Sequence, residues 1–299
     1  MLLKTFESRR SGWEFLAVLL ACAVGCGPAE GLPEETGGEE WGSTAQKIIV
    51  GNGLSLNGLS LNGLSLNGLS TSSFNDWFQA DSSVRNEVMK YVVACAVPAG
   101  ETRSYTSGGT TYTWNGVLGL APGWANGSAA TTAESQVVSA CMAAHANKFG
   151  INVTISLLGL NGAGNTITYT TQELADYNVK EACFFGNLFD GSTGVYGGND
   201  GLSLTSSQSS PRVCGLPGSP NASQCTPMTY VGSCATYCTR DATNTFYTSC
   251  TYNGVTYRPV TTRMQPADFY RCGDGVCQAT ESCGTGTTTK SCAADCGAC

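Results

Sequence analysis

From Ser82 onward, apolar side chains recur every three or four positions at Val84, Val88, Val92 and Cys95, with Tyr91 beside them. That period predicts an amphipathic helix. Ser82 or Ser83 can cap it, and Pro98 and Gly100 stop it. The segments ETRSYT and TTYTW flank Ser107-Gly108-Gly109, the pattern of a β-hairpin. Thr131 with Glu134 makes a capping box for a second helix that carries Val137, Val138, Cys141, Met142 and His145 and ends by Gly150. INVTISLL and TITYT read as strands. Thr170 with Glu173 opens a third helix, expected to run to about Phe185. Helices and strands in this order predict an α+β fold: a small antiparallel sheet with helices packed on it, stapled by disulfides, plus a small disulfide-rich C-terminal module.

The pattern changes on either side of this region. Residues 27–70 are an acidic spacer followed by a GLSLN repeat starting at Gly53, Gly58, Gly63 and Gly68. Four such repeats are too few to bury the core of a pentapeptide β-helix, so a low-complexity tether is expected. After Asp190 the chain turns to Gly, Ser, Thr and Asn, then to closely spaced cysteines. We read it as an irregular extension of the same domain, with TYNGVTYRPVTTRM able to close a hairpin at Asn253-Gly254. The expected organisation is therefore residues 1–26 signal, 27–70 tether, 71–265 α+β core and 266–299 cysteine-rich module.

The N-terminus supplies an address. Lys4, Arg9 and Arg10 precede an apolar run from Trp13 to Val24, which is too short to span a bilayer and fits a secretory signal. It resembles a bacterial lipoprotein signal with Ala23-Val24-Gly25 before Cys26. Lipid on Cys26 leaves 14 of the 16 cysteines, an even number, whereas lipid on Cys22 leaves an odd thiol. The expected site is Cys26, with the membrane as partner through that lipid and the bacterial outer membrane or cell surface as location. Exported cysteines are expected in bridges: Cys95, Cys141, Cys183, Cys214, Cys225, Cys234, Cys238 and Cys250 in the core, and Cys272, Cys277, Cys283, Cys292, Cys296 and Cys299 in the tail.

Fifteen Lys plus Arg against 22 Asp plus Glu give a net charge of −7, with no basic footprint for nucleic acid. CGDGVC and the cysteines up to Gly297 resemble the CGDG modules of secreted bacterial proteins. The Leu-Asn-Gly repeats resemble the tethers of myxobacterial-type lipoproteins. VVACAVPAG, WNGVLGLAPGW, VVSACMAAHANKFG and FFGNLF resemble one family of such proteins. The resemblance implies a compartment and carries over no catalytic residues.

Chemistry is sparse. His145 is the one histidine. Four positions after Cys141, it could share a helix face with a thiolate, or Cys141 could be oxidised, with Cys95 as a plausible partner. The single histidine excludes a His-based catalytic metal site, and the C-x3-C spacings favour disulfides over zinc behind a secretory signal. No cofactor is expected apart from calcium on Asp274, Glu281 and Asp295. Glu134, Glu173, Asp176 and Glu181 lie on or beside predicted helices, and Asp76 and Asp190 flank aromatic residues. A glycosidase would need two such carboxylates across a cleft. Trp114, Trp124 and several tyrosines near Asn and Gly could form a sugar-stacking platform, or could be core. The leading expectation is a lipid-anchored surface protein for binding, adhesion or envelope organisation, with glycan or an envelope protein as partner. The alternative is a hydrolase of polysaccharide or peptidoglycan working through paired carboxylates.

Overall fold

The computed structural model describes residues 72–146, 154–190, 194–201, 228–266, 272–273, 283–288 and 291–299. Cys26, both tether segments, Cys214, Cys225, Cys277, Asp274 and Glu281 lie outside these residues. Among the described residues no helix is long and apolar enough to cross a membrane.

Two helices open the domain, α1 (Ser72–Ala80) and α2 (Ser82–Ala96). The first is absent from the sequence expectations, although its Phe74, Trp77 and Phe78 fall at helical spacing and are buried. Asp81, not Ser82 or Ser83, caps α2, its carboxylate accepting from the Val84 amide. Val84 is 44 % exposed, so the buried stripe begins at Val88. The hairpin β1 (Thr102–Ser107) and β2 (Thr110–Asn115) turns at Gly108 and Gly109, both with positive φ as a two-residue hairpin turn requires. Its inner face sets Tyr105, Tyr112 and Trp114 against Phe78.

A short turn of helix, α3 (Pro122–Ala125), leads to α4 (Thr132–His145). The capping box is present. The Glu134 carboxylate also accepts from the Gly123 amide at 2.6 Å, tying α3 to the start of α4. A side chain at Gly162 would collide with Glu134, its Cβ falling 2.3 Å from Cγ.

The five-stranded sheet has the order β3 (Ile155–Gly159), β10 (Val260–Met264), β4 (Val179–Asn187), β5 (Gly194–Asn199), β6 (Met228–Ser233). The β5–β6 pair is parallel and the others antiparallel, so the sheet is mixed. Three sequence expectations are corrected here. TITYT forms only a single bridge, Leu160 to Thr166. The third helix, α5 (Thr171–Asp176), stops at Asp176, and the stretch to Phe185 is β4 instead. Because β4 is central and covered on both faces, it lacks the alternation that marks a strand. The segment after Asp190 belongs to the same domain but its described residues are not irregular, because they supply β5, β6 and β10 to the main sheet.

Alternate residues of β4 separate the two faces. Ala182 and Phe184 join the large core with Val137, Val138 and Met142 of α4. Cys183 and Phe185 join a second cluster with Tyr247, Cys250 and Tyr257. That second cluster is built with a three-stranded meander, β7 (Cys238–Arg240), β8 (Tyr247–Tyr252) and β9 (Val255–Tyr257), reached through the helical turn α6 (Cys234–Tyr237). The turn between β8 and β9 is Asn253-Gly254, with φ of 49° and 78°.

Candidate binding face

The described residues among those singled out for chemistry have defined places. Cys141 is bonded to Cys95, bridging α4 to α2. Its sulfur lies 3.8 Å from His145 Nδ1 but is committed to the bridge, so it is no thiolate. His145 is fully buried, its Nδ1–H donating to the Cys141 carbonyl at 2.8 Å. Glu134 serves α3 and α4. Glu173 accepts from the Ser156 hydroxyl at 2.8 Å, and burial pushes its pKa up. Glu181 accepts from the Thr262 hydroxyl at 2.8 Å. Each buried carboxylate thus serves its own neighbours. Asp76 is exposed on α1, and Asp176 accepts from Gln172 within α5.

Trp114 and Trp124 do not offer a platform. They are 3 % and 6 % exposed, and the Trp114 Nε1–H is taken up by Asn86. Both belong to the large core. In the tail, Cys272 pairs with Cys292 and Cys283 with Cys299, and Cys296 is also oxidised. The Asp295 carboxylate accepts from the Gly273 amide.

The aromatic residues that do converge are tyrosines of the second cluster. Tyr196 from β5, Tyr237 from α6 and Tyr252 from β8 are half-buried. Ring centroids are 4.5 Å apart for Tyr196–Tyr252 and 5.1 Å for Tyr237–Tyr252. Buried Phe185 and Tyr257 form the base beneath, 5.3 and 5.9 Å from Tyr196. Burial, then the neighbouring Tyr257, Tyr252 and Asp190, push the Tyr196 pKa up to about 12, so its hydroxyl stays a donor. A local signal of this face exists along the chain at Tyr252, directly before Asn253-Gly254. Tyr196 likewise stands directly before Gly197-Gly198-Asn199, whereas Tyr237 carries no such signal.

Two bridges fix the face. Cys183–Cys234 ties β4 to the start of α6, and Cys238–Cys250 ties β7 to β8. Beside them runs a buried ionic network. Arg240 Nη2 donates to Asp200 Oδ1 at 2.7 Å and to the Tyr247 hydroxyl at 2.6 Å. Its guanidinium also lies 4.1 Å from the Tyr247 ring centroid. Burial and the Asp200 charge push the Tyr247 pKa up. Arg263 donates to the Thr245 carbonyl at 3.1 Å, and burial lowers its pKa. The network joins the end of β5 to the β7–β8 hairpin.

The loop of that hairpin is organised by Asp241. Its carboxylate accepts from the Thr243 hydroxyl and from the amides of Thr243, Thr245 and Phe246. Burial opposes its ionisation, but these bonds outweigh burial and hold its pKa below the usual 3.8. A depressed acid stabilises the fold above its unfolded pKa and loses that contribution as pH falls through the folded value. Asp241→Asn should therefore cost about 1–2 kcal/mol at pH 7 and less at pH 3. Urea midpoints at both pH values measure this; an equal loss at both would remove the carboxylate from the account.

Comparison with family models, curated proteins and solved structures returns no match.

Proposed function

We propose that this chain is a lipid-anchored envelope or surface protein of the myxobacterial-type lipoprotein family, and that its disulfide-stapled domain binds glycan without turning it over. The reading rests on one observation above others: Tyr196, Tyr237 and Tyr252 arrive from three elements and lie together, half-exposed, over a buried aromatic base. Tyrosine combines an apolar ring with a polar hydroxyl at low entropic cost, which suits stacking on a sugar ring. The two adjoining disulfides hold the elements that carry Tyr237 and Tyr252 in place before a ligand arrives, so less ordering is needed on binding. The basic signal, the short apolar run and Cys26 support export and lipidation, and the oxidised core suits that compartment.

The test is a glycan array of bacterial polysaccharides and peptidoglycan fragments probed with the oxidised chain. A bound glycan should lose about tenfold in affinity with Tyr252→Ala, corresponding to about 1.4 kcal/mol. Unchanged affinity in that variant would move the site off this face, and hydrolysis of an arrayed glycan would reinstate the enzyme alternative.

A further inference from the structure

The two bridges beneath the tyrosines touch each other. Cys238 Sγ lies 3.8 Å from Cys183 Sγ, although each belongs to a different disulfide. Cys183, Cys234 and Cys250 are fully buried, whereas Cys238 is half-buried, the one of the four residues with exposed surface for a reagent to approach. We propose that these four cysteines form a thiol–disulfide exchange site that accepts electrons from an external dithiol and passes the bridge from Cys238–Cys250 to Cys183–Cys238.

The chemistry balances in two steps. The dithiol attacks Cys238 and then closes on itself. It becomes a cyclic disulfide, having given two electrons and two protons, and Cys238 and Cys250 become thiols. Cys238 then loses its proton and attacks Cys183 Sγ, the sulfur it touches. A Cys183–Cys238 bond forms, the Cys183–Cys234 bond breaks, and Cys234 leaves and takes up a proton. This second step is redox-neutral.

Cys234 is equipped to leave. The Cys183 backbone N–H donates to its sulfur at 3.0 Å, which stabilises a departing thiolate. The Gly198 carbonyl oxygen lies 3.0 Å from the same sulfur, an acceptor ready for the thiol once it is protonated. A side chain at position 198 would fall 3.2 Å from that sulfur, so glycine there leaves the sulfur its room. In the native bridge the sulfur has no proton to give to that oxygen; in the exchanged state it has one.

The full oxidised chain, treated with limiting dithiothreitol, quenched by alkylation and mapped as unreduced peptides, tests this. Among molecules that have lost one bridge of these two, the label should lie on Cys234 and Cys250, with Cys183 joined to Cys238. Label on Cys238 and Cys250 with Cys183–Cys234 intact would overturn the proposal. Cys250→Ser starts the second step without reductant and should expose Cys234, not Cys238, to alkylation; a labelled Cys238 there would equally overturn it.

Discussion

Arg240→Ala should lower the stability of the core by about 3–5 kcal/mol, one of the two largest losses expected from small changes to this chain. The reason is what it leaves behind. The Asp200 side chain is fully buried, and Arg240 is the cation that meets its Oδ1. Removing the guanidinium takes this ion pair from a buried carboxylate and a donor from the Tyr247 hydroxyl. The Tyr247 ring also loses the cation at its face. For a domain of this size such a loss lowers the melting temperature by about 10 °C. Asp200→Asn in the same chain removes the buried charge, so the double variant should recover part of the loss. Thermal and urea melts of the wild type, both single variants and the double give the coupling. A single-variant loss below about 1 kcal/mol would mean that Asp200 is held by its other contacts and not by Arg240.

The parts of this fold that are legible in the sequence are those set by neighbours along the chain. Thr131 with Glu134, Gly108-Gly109 and Asn253-Gly254 each close a turn or a cap within a few residues, and all three form. The Thr170–Glu173 cap is equally legible, yet the length of its helix is not. Nothing local ends α5 at Asp176, because β4 is decided by pairing with β10 some 80 residues later. Long-range pairing overrides local preference in this way. The same applies to the tyrosine face. Its members come from positions 196, 237 and 252, and only the sheet and the bridges bring them together. Trp114 illustrates the reverse case. It shares one side of β2 with Tyr112, two positions away, and that period of two is enough to set both rings on the inward face.

The other large effect belongs to the bridge between α2 and α4. The Cys95→Ala, Cys141→Ala double variant should lose about 4 kcal/mol, because the bridge closes a loop with a sequence separation of 46 and so restrains the unfolded chain. Both sulfurs are fully buried in the main core, so the two alanines also leave a small unfilled space. The helices should stay packed in the native state, since Val88, Val92, Val137 and Val138 remain in the same cluster. The variant is therefore expected to fold, with its helix content unchanged by circular dichroism and its melting point down by about 10 °C. Cys141→Ala alone leaves Cys95 as a free, buried thiol, and the same loss of loop restraint applies. The wild type with this bridge selectively reduced should melt near the double variant. If instead the double variant melts within about 2 °C of the oxidised wild type, the association of α2 with α4 rests on apolar packing alone, and the bridge does not stabilise the core.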